Sequence, residues 1–90
     1  MQYMVIERFK GGDPVPVYRR FRERGRLAPA GLTYVGSWIG DDLKVCWQVM
    51  ETDDRALLDR WIAAWADLTD FEVVPVVSSA EALARVTPLL

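Results

Sequence analysis

Histidine is missing from this sequence altogether, and cysteine occurs once, at Cys46. Without imidazole there is no His-based nucleophilic triad, no proximal haem histidine and no 2-His-1-carboxylate iron site, and a lone thiol cannot build a zinc cage. One cysteine also excludes an intramolecular disulfide framework. No apolar run approaches the roughly 20 residues that cross a bilayer. The opening Met1-Gln2-Tyr3-Met4-Val5-Ile6-Glu7-Arg8 has no charged leader before an apolar stretch, so it does not read as a signal peptide. The expectation is a cytoplasmic protein with no membrane partner and no cofactor.

Strong charge of one sign is lacking too. The net charge is -2, but residues 1 to 26 carry seven Lys/Arg against three acids and residues 27 to 90 carry four against ten. The chain is a dipole, not a polycation, which weighs against nucleic acid as a partner.

What is present is a globular composition: 51% apolar residues, 27% charged, and four tryptophans. Ninety residues make one domain, read here as residues 1-90. Such a chain buries roughly 60 to 65% of the surface its unfolded form exposes, so a second subunit would help it.

The stretch Leu43 to Val77 organises the rest. The alternating run Lys44-Val45-Cys46-Trp47-Gln48-Val49-Met50 predicts a strand. In the segment that follows, Leu57, Leu58, Trp61, Ile62, Trp65 and Leu68 fall at the i, i+3, i+4 spacing of one helix face. A second extended run, Phe71 to Val77, closes the unit. Its Pro75 cannot donate to a ladder and places the strand at an edge or near its own end.

The first half repeats the pattern. Tyr3 to Phe9 predicts a strand, ended by Lys10-Gly11-Gly12-Asp13-Pro14. With Asp13 as N-cap and Pro14 at the first helical position, a helix runs to about Arg24 and stops at Gly25. Its buried stripe is expected to be Val17, Tyr18 and Phe21, with Leu27 beyond the end. Arg19, Arg20, Glu23 and Arg26 lie opposite, Arg19 and Glu23 forming an i,i+4 pair. Leu32 to Ile39 predicts a second strand, and Gly40-Asp41-Asp42 turns it into the third, Leu43 to Glu51. Thr52 or Asp53 is expected to cap the second helix. Ser78-Ser79-Ala80-Glu81 has the capping-box pattern of a short terminal helix, which Thr87-Pro88 stops.

Strand, helix, strand, strand, helix, strand, with right-handed crossovers, predicts an α+β, ferredoxin-like βαββαβ domain: a four-stranded antiparallel sheet, two helices on one face and a short C-terminal helix. The other face of that sheet is left bare. Along the third strand one parity gives Val45, Trp47 and Val49, and the other gives Lys44, Cys46, Gln48 and Met50. Assigning the apolar set to the helices leaves a semi-polar face, which Glu7 and Tyr34 or Trp38 could join. Two subunits placing such faces together would enclose a cavity between them.

Four stretches carry a family resemblance: Met4-Val5-Ile6-Glu7-Arg8-Phe9-Lys10; Gly31-Leu32-Thr33-Tyr34-Val35 with Ser37-Trp38; Cys46-Trp47-Gln48-Val49-Met50-Glu51-Thr52-Asp53-Asp54; and Phe71-Glu72-Val73-Val74-Pro75-Val76. Over nearly its whole length the chain resembles an uncharacterised bacterial family, domain of unknown function 3303. The parent fold is similar to the dimeric α/β barrels, which include cofactor-free quinol monooxygenases, muconolactone isomerases and haem-degrading enzymes. The resemblance implies a homodimer. It implies no reaction, and the haem-binding and His-dependent branches want a histidine this chain lacks.

The candidate ligand-binding residues are Glu7, Tyr34, Trp38, Cys46 and Gln48. Glu7 is a carboxylate inside an apolar strand. Buried, it would have a raised pKa and suit proton abstraction; exposed, it is an ordinary strand acid or half of an intersubunit salt bridge. Cys46 is a nucleophile only if something activates it, and otherwise a small hydrophobe. Gln48 and Tyr34 either orient a ligand or satisfy each other. Trp38 could rim a pocket, whereas Trp61 and Trp65 belong to the core stripe. The pairs Asp41-Asp42 and Asp53-Asp54 suit turns and helix starts, so no metal is expected.

The reading is a cytosolic homodimer, joined through the uncovered sheet face, that binds a small metabolite between or beside its sheets. The alternatives are a cofactor-free monooxygenase- or isomerase-like enzyme with Glu7 as base, and a structural or interaction module without ligand.

Overall fold

The computed structural model describes residues 1–90. Strand β1 is Gln2–Phe9, helix α1 Val15–Arg24, strands β2 and β3 Thr33–Ile39 and Val45–Glu51, helix α2 Arg55–Ala63, strand β4 Thr69–Val76 and helix α3 Ser79–Val86. Single 3-10 turns follow β1 and α3. The four strands form one antiparallel sheet in the order β2-β3-β1-β4, the α+β, ferredoxin-like arrangement. Pro75 lies on β4, an edge strand, where a missing N–H leaves no gap in a central ladder.

Helix α1 begins where Asp13 Oδ1 accepts the Val15 N–H at 3.0 Å, and ends at Gly25 with φ 71°. The Arg19–Glu23 pair does not form. Arg20 instead makes a two-pronged contact with Asp67 at 2.8 and 2.7 Å, and also donates to the Ala64 carbonyl at 3.0 Å. That fork ties α1 to the end of α2 and holds the Asp67 carboxyl below the usual range.

The cap of α2 is Asp54, one or two residues later than expected. Its side chain accepts the Ala56 N–H, while buried Thr52 uses its hydroxyl to hold the Asp54 N–H. Beyond Ala63 the chain continues in tight i,i+3 turns, which still carry Trp65 inward. The box at α3 is half made: Ser78 accepts the Glu81 N–H, but the Glu81 carboxylate turns to Arg85.

The core lies between sheet and helices: Tyr3, Val5, Leu32, Met50, Leu58, Trp61 and Trp65. Trp61 meets Phe71 edge to face, ring centroids 6.1 Å apart. The expected stripe of α1 is only partly covered. Val17 packs on the core, but Tyr18 and Phe21 are nearly half exposed.

The predicted face assignment is reversed. Cys46, Gln48 and Met50 are the buried residues of β3, under the helices, and Trp47 is exposed between the half-covered Val45 and Val49. The registers extend this across the sheet. On the helix side, Ile39, Cys46, Glu7 and Phe71 form one row, and Ser37, Gln48, Val5 and Val73 the next. On the bare side, Trp38, Trp47, Ile6 and Glu72 form one row, and Gly36, Val49, Met4 and Val74 the next. The uncovered face is therefore mostly apolar at its centre, and the polar candidates Glu7 and Gln48 are inside the subunit.

Candidate functional site

Toward the turn end of the sheet, α1 stands off from the strands and leaves a cavity of about 190 Å³ between the two layers. Glu7, Cys46 and Gln48 form its polar floor with Ser37 beside them. Phe9, Ile39, Trp61 and Trp65 make apolar wall, and Val17, Tyr18 and Phe21 of α1 form the cover. It belongs to one subunit, not to the space between two bare sheets.

The floor is a chain of charge and hydrogen bonds. An Arg26 N–H donates to Gln48 Oε1, and Gln48 Nε2 donates to Glu7 Oε2 at 2.9 Å. Only this amide orientation works. Turned over, Gln48 would set its NH2 against the guanidinium and its oxygen against the carboxylate. Gln48 thus passes the influence of Arg26 to a carboxylate that is 7% exposed.

Burial raises the Glu7 carboxyl above its ordinary 4.5, although the Cys46 thiol, the Gln48 amide and the Arg26 charge all pull the other way. The neighbouring Cys46 thiol is pushed up to about 12 by burial and by the Glu7 charge. At neutral pH it stays a thiol and is no nucleophile. Tyr18 is likewise raised, first by burial and then by Cys46 and Glu7.

Arg26 holds the mouth. Gly25 and Leu27, on either side of it, have φ of 71° and 64°. The second is an uncommon value for a branched residue and reverses the chain just after α1. The reversal turns the Arg26 carbonyl toward α2 and the turns that follow it, where Trp61 Nε1 and Trp65 Nε1 each donate to it at 3.0 Å. The guanidinium lies over Tyr34 at 3.7 Å from the ring centre and near Phe21 at 5.2 Å.

Of the candidate residues read from sequence, Glu7, Cys46 and Gln48 come together on the cavity floor. Tyr34 stands at the mouth through Arg26, its hydroxyl bonded to Ser37 at 2.8 Å. Trp38 does not join them: it is 63% exposed on the bare face, opposite Trp47. Arg26 was missed: it was placed opposite the buried stripe with Arg19, Arg20 and Glu23, although it lies beyond Gly25, where the helix that defines those sides has already ended.

A family model matches residues 1–90. The chain belongs to that family, Domain of unknown function (DUF3303). No curated protein and no solved structure matches it. In this DUF3303 member the chemistry on offer is that of the cavity's polar floor and aromatic walls. No helix of the protein is long and apolar enough to cross a membrane.

Proposed function

We propose that this DUF3303 protein is a homodimer whose subunits each bind one small aromatic or carbonyl-bearing metabolite in the cavity beneath α1. The observation that carries the reading is the Arg26–Gln48–Glu7 chain, buried at Gln48 and Glu7 and set in a wall of aromatic and aliphatic side chains. A few convergent polar groups in an otherwise apolar hollow is what recognition of a small molecule requires. A plain core would fill the space, since a buried carboxylate disfavours folding and leaves unused volume beside it.

The bare face supports the pairing. Its two central rows are mainly apolar, while one end carries Arg8 bonded to Glu72 at 3.1 Å and the other carries Gln2 and Glu51. An apolar centre with a charged rim is the anatomy of an interface. Four strands at about 4.8 Å spacing and about 25 Å long present roughly 500 Å² in plan. That is at the upper end of what monomers leave open.

The test is a ¹⁵N–¹H NMR titration with phenol, benzaldehyde and indole. Shifts gathered on Glu7, Gln48 and the indole N–H groups of Trp61 and Trp65, lost in Val17→Trp where the hollow is filled, are the expected result. Shifts scattered over the surface, or none, would reject the reading and favour a module that only assembles.

A second reading draws on the same carboxylate. Raised by burial and facing the cavity, Glu7 is suited to take a proton from a bound carbon acid in a cofactor-free isomerase- or monooxygenase-like reaction. Glu7→Gln should then remove turnover and leave ligand-induced shifts in place.

A further inference from the structure

We infer that the cavity selects a neutral, planar molecule presenting an N–H or O–H donor to Glu7, and turns away anions of the same size. This rests on the binding reading above and narrows it.

Most hydrogen-bonding groups of the floor are already engaged with one another. Gln48 has its oxygen occupied by Arg26 and one amide N–H by Glu7. Ser37 is engaged with the Tyr34 hydroxyl. The Cys46 thiol is a weak donor already directed at Glu7. Arg26, at the mouth, has the Tyr34 and Phe21 rings beside its guanidinium and gives one N–H to Gln48, so its other N–H groups are free at the rim and not on the floor. What remains unfilled on the floor is chiefly acceptor capacity at Glu7, since an ionised carboxylate offers about four lone-pair positions against the single spare N–H of Gln48. A ligand meets that floor best with a hydrogen to give.

Charge points the same way. Glu7 and Arg26 are the charged residues of the lining, and they cancel. A carboxylate ligand would add an unbalanced negative charge among aromatic walls, next to an existing carboxylate. Only if a proton entered with it, on Glu7, would the cavity stay neutral. The volume of 190 Å³ corresponds to about six waters at about 30 Å³ each, the bulk of a one- or two-ring compound.

Three probes of similar size separate the possibilities: indole, with a ring N–H; benzofuran, the same shape without a donor; and benzoate, an anion. Binding is followed at pH 7.5 by calorimetry and by the Trp61 and Trp65 side-chain N–H resonances. Indole should bind roughly 10- to 100-fold more tightly than benzofuran, the range for a hydrogen bond to a charged group. Benzoate should fail to saturate. In Glu7→Gln the indole preference should shrink and benzoate should gain. Indole and benzofuran binding within twofold of each other, or benzoate binding as well as indole, would overturn the donor inference and leave the cavity a binding site. Silence from all three would remove the binding reading itself, and the inference with it.

Discussion

Trp61 and Trp65, one helical turn apart, both donate their indole N–H to a single oxygen, the Arg26 carbonyl, each at 3.0 Å. The carbonyl has two lone pairs, so the contacts are not in competition. Together they pin the backbone of the residue whose guanidinium reaches Gln48, and so link the α2 core to the cavity floor.

The shared acceptor predicts non-additivity. Trp61→Phe or Trp65→Phe leaves the carbonyl one partner, and each should lose about 0.5–1.5 kcal/mol from the hydrogen bond, besides the smaller ring. The double variant orphans the oxygen and should lose roughly 0.5–1 kcal/mol more than the summed singles. Urea unfolding of the four proteins measures this, and strict additivity would mean that the two bonds are independent.

Thr69 is 2% exposed and its hydroxyl has no partner. Thr69→Val removes an unsatisfied polar atom and keeps a β-branched side chain in β4. It should stabilise by about 1 kcal/mol. For a domain of this size the melting temperature should then rise by roughly 4–8 °C, read by calorimetry.

Glu7 predicts a pH dependence of definite sign. Its folded-state carboxyl lies above the ordinary 4.5, so between those two values the native state keeps a proton that the unfolded chain releases. The associated stability is full below 4.5 and is lost as pH rises through the folded value. In Glu7→Gln that loss is absent, so the stability of the variant relative to the parent should increase from pH 4 to pH 7 in urea titrations. A constant difference would mean that burial leaves the carboxyl where it is in the unfolded chain.

Cys46 should resist alkylation. A thiol near 12 holds about a thousandfold less thiolate at pH 8 than one at the ordinary 9.0. Iodoacetamide should modify the native protein at least about a hundredfold more slowly than the urea-unfolded chain, since the thiolate is the nucleophile. Comparable rates would point to an open or activated thiol.

The proposed pairing predicts a light-scattering mass of twice the 10.3 kDa chain. Trp47→Asp or Ile6→Lys sets a charge in the centre of the bare face and should give a single-chain mass with the fold intact by circular dichroism. A parent protein already at 10.3 kDa would remove the dimer.

Much of the molecule was legible residue by residue. Alternating and three-four periodicities located β1, β3, α2 and β4, because each element repeats its own side-chain direction at a set interval. Pro75 marked an edge strand and Gly25 a helix end for equally local reasons. The absence of histidine limited the available chemistry before any fold was considered.

The site itself was not legible in that way. Period two says that Cys46, Gln48 and Met50 share one face of β3, but both choices of inward face are equally regular. Treating each strand as a uniformly polar or apolar set assigned that face wrongly. Tertiary structure groups side chains by rows across strands. Met50 joins Tyr3 in the apolar core, while Cys46 and Gln48 come against Glu7, which satisfies them. Arg26 enters only because the chain reverses between two residues of positive φ and two tryptophans, one on α2 and one in the turns after it, hold its carbonyl. Local sequence determines periods and stops; which face turns inward, and which distant groups meet there, is decided by packing the layers together.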